Sequence, residues 1–364
     1  MRLLGITCLL IGIVCCCALA DGDEPPETFG AAPDALGPIG GGEGYKNIVI
    51  KGDFTVNTED ELIDALAKAK PGQVVYVADA AELDFTLRVM LEKLVLQMPG
   101  GVTLASGRGN NGSQGALICS DEFATFPLIK VTGENARITG LRIQGPDPKM
   151  RWTEIPKLFE RGGQELYYKF PVSTGIQTAF SGLEVDNCEI SGWSAAGVQS
   201  SAGTFHVHHC YIHHCQRRGL GYGVSADASD TLIDHNIFDY CRHSIQCSGY
   251  STAGYEACHN IFLDHGILSS CDVHGGGDRG DGTNIAGNWV KVHHNTFKGK
   301  WRGSKSQGEG KCVPAVGIRG VPVKGGEIHH NWFCHSEPED ALFKDPDPNV
   351  KVFRNWYGPE KILQ

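Results

Sequence analysis

Six short segments, GVQSS, GLGYG, SIQCS, SCDVHG, AVGIRG and ALFKD, carry the polar side chains on which chemistry could rest. If Val198, Leu220, Ile245, Cys271, Val316 and Leu342 point inward, strand alternation turns the next residue, and the one two beyond it, outward. Gln199, Gln246 and Asp272 then share one outer column, and Ser201, Ser248, His274 and Arg319 share the next. Stacked strands lie about 4.8 Å apart and alternate residues about 6.8 Å apart. Asp272, His274 and Arg319 are therefore expected as one exposed cluster, with Gln246 and Ser248 a rung below. Arg217, Arg218, Arg242 and His243 precede these strands, at turns leading onto the same face.

A carboxylate, two imidazoles and several guanidiniums on one wall suit an acidic sugar. The hydrogen at the fifth carbon of a uronic acid is acidified by its carboxylate. β-Elimination requires that the carboxylate be neutralised, that hydrogen removed, and the departing glycosidic oxygen protonated. Arg242 or Arg319 is the candidate neutraliser, and His274, alternatively His243, the candidate base, because imidazole titrates near neutral pH. Asp272 would orient the base. Arg218, Tyr222 and Gln246 are candidate substrate contacts. Insertions near 274–288 and 298–323 flank the cluster, and the second brings Lys300, Arg302 and Lys305. Between Ala286 and Gly325 stand eight Lys or Arg and one acid, Glu309, a basic patch in a chain of net charge −10. A third insertion, near 146–178, supplies Trp152, Tyr167 and Tyr168, flat faces for sugar rings. Asp278 and Asp281 are weak candidates for calcium, against the commoner reading of a solvated Gly/Asp turn. The sequence requires no cofactor.

What must position these groups is a repeat that begins after residue 137. The segments ITGLRI, VDNCEI, VHHCYI, IDHNIF, ACHNIF, VHHNTF, IHHNWF and VFRNWY align at Leu141, Cys188, Cys210, Asn236, Asn260, Asn295, Asn331 and Asn355. Spacings of 22 to 26 residues fit one rung of a parallel β-solenoid, and the spacings of 35, 36 and 47 fit two rungs or a rung plus an insertion. A stack of Asn side chains can pair the backbone of buried turns from rung to rung. His209, His235, His259, His294 and His330 recur just before that column, which favours structural stacking over a metal site. Cys215 and Cys241 fall at equivalent places on successive rungs, as a disulfide or as stacked thiols. Tyr255 and Glu256 belong to another face, with Glu256 a surface residue.

Upstream, Thr58 and Glu61 form a capping-box pattern ahead of Leu62, Ile63, Leu66 and Ala67, predicting one amphipathic helix closed by Pro71-Gly72. Brief strands follow. Residues 21–44 are rich in Gly, Pro and acid without apolar periodicity and read as a loose linker. Residues 1–20, with Arg2, the apolar run Leu3–Val14 and the close Ala18-Leu19-Ala20, read as a signal peptide. Export to the periplasm or exterior is expected, with a lipid anchor at Cys15, Cys16 or Cys17 as the lesser alternative. A composition 41% hydrophobic and 20% charged excludes disorder for most of the chain, and 48 glycines without a three-residue period exclude collagen. Forty-two acids against 32 bases argue against nucleic acid as a partner. No membrane span and a monomer are expected.

From Tyr45 onward the chain resembles the pectate-lyase-like superfamily of right-handed parallel β-helices. The likeness rests on FTVNTEDELIDALAKAKPGQVVYVADA, on GVTLASGRG and on the Asn-bearing rungs. It implies an all-β, single-domain solenoid over 45–364 with an N-terminal capping helix. It leaves the chemistry open, since that superfamily holds lyases, hydrolases, epimerases, phage adhesins and noncatalytic solenoids. Lys305-Ser306 resembles the Lys-Ser pair of alginate and chondroitin lyases on this fold, in which Lys is the base and a later Arg completes the site. Here Arg319-Gly320 stands where that family has Arg-His-Gly. The preferred expectation is a lyase acting on an acidic polysaccharide. The alternatives are a hydrolase, a uronan epimerase on the same fold, and a noncatalytic glycan-binding solenoid.

Overall fold

The rungs turn on a residue held in the left-handed backbone region, followed by Cys188 or Cys210 in the earlier rungs and by Asn in the later ones. His209, His235, His259, His294 and His330 have φ between 50° and 55°, a conformation in which His is several-fold enriched among non-glycine residues. Their rings stack at 4.9–5.0 Å from one rung to the next. Beside them the main-chain N–H groups of Cys210, Asn236, Asn260, Asn295 and Asn331 donate to the side-chain oxygen of the next Asn at 2.9–3.0 Å. Each Asn Nδ2 in turn donates to a strand carbonyl one rung back, as Asn295 does to Ala257 at 2.8 Å. A side chain lacking this acceptor would leave a buried N–H unpaired, at a cost of about 1–3 kcal/mol per rung, and that cost holds Asn in the column.

The computed structural model describes residues 27–147, 157, 160–163, 165–166, 169–227, 230–301, 310–343 and 349–358. Among them, parallel strands form three long sheets of 11, 10 and 9 strands. The chain visits each sheet once per rung, so the sheets are the walls of one elongated prism. Inside run stacks of like side chains: Phe238, Phe262, Phe297 and Phe333 lie face on face at 4.5–5.3 Å. The wider sequence spacings are each a single rung with an insertion, since Val185 pairs directly with Ile138, Val292 with Ala257 and Ile328 with Val292.

The helix Glu59–Lys68 closes the N-terminal end. Thr58 Oγ1 accepts from the Glu61 N–H and Glu61 Oε2 from that of Asn57, while Leu62, Ala65 and Leu66 are buried. Ala65 takes the inward place expected of Ala67, which is exposed.

One further expectation changes. Residues 27–44 are not a loose linker: they run along the histidine turns from the far rungs towards the near ones. Gly30 N–H donates to the His330 carbonyl, Ala31 N–H to Thr296 Oγ1, Gly40 N–H to the His235 carbonyl and Gly42 N–H to Asn187 Oδ1. Asp34 Oδ1 lies 3.1 Å from His209 Nε2. Glycines let this backbone approach, since a Cβ on Gly41 would sit 2.4 Å from the His209 carbonyl. Cys215 and Cys241 are buried free thiols on adjacent rungs, in the stacked arrangement. Residues 1–20 lie outside the described residues.

Candidate functional site

The nine-stranded sheet carries the cluster. Its outward column runs Gln177, Gln199, Ser225, Gln246, Asp272, Gly317 in hydrogen-bonded register. Ser225 belongs here because Val224, not Leu220, pairs with Val198 and Ile245. Gly219-Leu220-Gly221 is therefore the turn into the strand Tyr222–Ala226, whose inward Val224 stands four residues from the expected Leu220. The same shift puts Asp227 in the second column with Ser201, Ser248, His274 and Arg319, as the main-chain bonds Asp227 to Ser200, Ser248 to Ala226, His274 to Cys247 and Arg319 to Val273 require. Asp227 went unread for that reason alone.

Asp272, His274 and Arg319 meet, but Asp272 is completely buried rather than exposed. Arg319 covers it, with Nη2 3.0 Å from both carboxylate oxygens. Arg319 Nη1 also donates to Asp278 at 2.9 Å. His274 Nε2 lies 3.2 Å from Asp272 Oδ2, and its Nδ1 faces the Gln246 amide at 3.3 Å. Ser269 adds a hydroxyl to Asp272 Oδ1 at 3.2 Å. Burial would raise the Asp272 carboxyl, yet it is held well below the usual carboxylate range. His243 cannot be the lasting cause, because burial drives its own pKa down to about 3 and leaves it neutral. The Arg319 ion pair and the His274 hydrogen bond carry the effect.

His243, expected as an alternative base, is fully buried. Its Nδ1 donates to the Ser269 carbonyl at 2.6 Å, so its Nε2 lone pair points inward, 3.9 Å from Asp272. It supports the cluster from behind. Arg319, expected as a candidate neutraliser, is committed to two carboxylates. Arg242 is not: among the described residues it has no carboxylate partner, donates to the Leu220 carbonyl at 3.2 Å, and lies 5.9 Å above the Tyr222 ring. That ring stacks on His243 at 6.0 Å and meets His274 edge-on at 6.3 Å.

A chain of polar contacts runs across the rungs. Gln177 donates to Gln199 at 3.1 Å, Gln199 donates to Asp227, and Ser225 Oγ lies 3.1 Å from Asp227 and 2.6 Å from Gln246 Oε1. Gln246 then reaches His274. Burial pushes the Asp227 carboxyl up, against its hydrogen bonds from Gln199 and Ser225. The wall thus holds two carboxyls whose surroundings move them in opposite directions.

The other expected residues are placed as follows. Arg218 is exposed at the turn before the Tyr222 strand. Lys300 is exposed and pairs through its backbone with His265 and Cys312, next to the Cys312 and Cys334 thiols. Asp278 accepts from the Gly275 N–H and Arg319, and Asp281 from Arg279 and Thr283. Guanidiniums thus hold both candidate calcium ligands, as in a braced turn. Trp152, Tyr167, Tyr168, Arg302, Lys305 and Ser306 lie outside the described residues. Glu256 is on the 11-stranded sheet, 2.9 Å from His293 Nε2. A concavity of about 480 Å³ on that face is lined by Glu184, His206, Asp230 and Trp289, but its acids and imidazoles already pair rung to rung, as Glu184 does with His208.

Residues 167–313 match the family described as "Right handed beta helix region". An alginate lyase from Paenibacillus sp. strain FPU-7 superposes with a TM-score of 0.58 at 16% identity, over 84% of this chain and 95% of that one. The chain is a right-handed parallel β-helix. Other β-helix likenesses are the Family 28 exopolygalacturonase of Yersinia enterocolitica and the Dettilon tailspike protein. The first has a TM-score of 0.42 at 12% identity over 86% and 64% of the two chains, the second 0.37 at 11% over 84% and 68%. No curated protein matches the sequence. Among the described residues of this β-helix, no helix is long and apolar enough to cross a membrane.

Proposed function

We propose that this β-helix is a polysaccharide lyase that cleaves a uronate-containing glycan by β-elimination. The observation that carries the reading is a pair of groups bordering one tyrosine ring. One is a partly exposed imidazole aligned by a buried carboxylate. The other is a guanidinium with no carboxylate partner among the described residues. In this reading His274 carries its proton on Nε2, 3.2 Å from Asp272 Oδ2, so Nδ1 is the basic nitrogen, restrained only by its long contact with Gln246. Arg242 neutralises the substrate carboxylate and so acidifies the C5 hydrogen. His274 Nδ1 takes that proton, the C–H electron pair becomes the C4–C5 double bond, and the C4–O bond breaks. The departing oxygen receives a proton from the Tyr222 phenol, which burial keeps protonated. Proton transfer from the imidazolium to the phenolate resets the site. The alginate lyase likeness agrees with this chemistry and leaves the sugar open.

The test is incubation with pectate, alginate, glycosaminoglycan and ulvan-type polymers, read by ultraviolet absorbance and product mass. Elimination yields an absorbing unsaturated uronate. Silence across all four refutes the reading. A second reading, hydrolysis, is favoured by Asp227, whose raised carboxyl, two rungs from the low Asp272, has the separation of environments that divides acid from base. Hydrolysis products carry one more water and do not absorb.

A further inference from the structure

Away from the cluster, the insertion before strand Val316–Ile318 comes back against the bend that follows strand Trp332–Phe333. There the sulfurs of Cys312 and Cys334 and a ring nitrogen of His335 lie within 4.8 Å of one another. Both cysteines are free thiols. His335 is 4% exposed, and its Nε2 donates to the Val313 carbonyl at 2.8 Å. That bond fixes the tautomer and leaves Nδ1 with a lone pair that is buried and has no partner. A metal-bound histidine commonly has this arrangement, its second nitrogen donating to a backbone carbonyl. The adjacent side chains of Cys334 and His335 can converge because they occupy a bend rather than an alternating strand.

We propose that Cys312, Cys334 and His335 bind a zinc ion. Two thiolates and an imidazole are the donor set that zinc takes and that calcium and magnesium refuse. A disulfide between the cysteines would satisfy the sulfurs but leave His335 Nδ1 orphaned, whereas one tetrahedral ion satisfies all three. The fourth position opens on a cavity of about 550 Å³ lined by Trp301, Lys311 and Asp340, where water or the Asp340 carboxylate completes the shell. The ion would pin the insertion to the next rung, next to the strand that leads into Arg319. The site is independent of the lyase reading.

The test uses the full chain purified without chelator or reductant. Inductively coupled plasma mass spectrometry should find about one zinc per chain. Cobalt(II) added after zinc removal should give a thiolate-to-cobalt charge-transfer band. Cys312→Ser and His335→Gln should each weaken zinc binding by more than about tenfold and remove or shift that band, with circular dichroism reporting whether the β-fold persists. Because Cys312 is only half-buried, its variant tests the ligand role if His335→Gln fails to fold. A Cys312–Cys334 disulfide in nonreducing peptide maps overturns the proposal. So do two titratable thiols in a protein that takes up neither zinc nor cobalt.

Discussion

Arg319→Met tests whether the Asp272–Arg319 pair is a buried ion pair on which the wall depends. Asp272 is fully buried and the Arg319 side chain 22% exposed. Breaking a buried pair costs about 3–5 kcal/mol because the remaining charge is uncompensated, and partial exposure puts this one near about 3 kcal/mol. With an unfolding entropy of about 2.1 cal/mol/K for each of about 300 described residues, that corresponds to a fall in Tm of about 5 °C. Asp272→Asn should cost less, about 1–3 kcal/mol, since Arg319 keeps Asp278. The double variant should be less destabilised than the sum by about 2 kcal/mol. The pH dependence has a definite sign. In the native protein Asp272 lies below its unfolded value of about 3.9. Its contribution is therefore full above that pH and lost as pH falls through the lower folded value. In Arg319→Met the buried carboxyl has lost its cation and rises, so acid relieves the variant. The gap in stability between the two proteins, measured by urea denaturation followed by circular dichroism, should narrow from pH 7 to pH 4. Additive costs in the double variant, or a gap that widens in acid, would refute the reasoning.

Three other outcomes are expected. His274→Ala should lower kcat on the cleaved uronan by about 10²–10⁴ while glycan binding, measured by calorimetry, is retained; unchanged turnover would return the cluster to scaffolding. Arg242→Ala should lower kcat/KM by about 10² on the free polyuronate and far less on its methyl ester, in which there is no carboxylate to neutralise. Asn295→Ala should destabilise the fold by about 2–6 kcal/mol in chemical denaturation, because the Asn260 N–H and the Ala257 carbonyl both lose their partner.

The solenoid was legible because its rungs repeat. An Asn or Cys recurring in register at spacings of 22 to 26 residues, widened to 35 and 36 by insertions, has one explanation, and stacking one register fixes the neighbours. The approach of Asp272, His274 and Arg319 follows from that register alone. Two kinds of information were not in the pattern. The Tyr222 rung is shifted because Gly219 and Gly221 belong to the preceding turn and Val224, not Leu220, points inward, so Ser225 and Asp227 go unread. Alternation also says which way a side chain leaves the strand, not whether another will cover it, so the burial of Asp272 beneath Arg319 and of His243 behind it could not be read. The segment 27–44 lacks periodicity because its partners are single backbone and side-chain polar groups on different rungs.

That segment alters how the molecule can come apart. A solenoid whose rungs touch only their neighbours can peel from one end, losing stability in small instalments. Here one stretch of chain is fastened at His330, at Thr296, at His235 and at Asn187, so the last rungs cannot unwind without tearing a fibre that also grips the middle. Fraying at the tip is thereby converted into a more concerted event, and the wall that carries Asp272, His274 and Arg319, which lies between those anchor points, shares the protection.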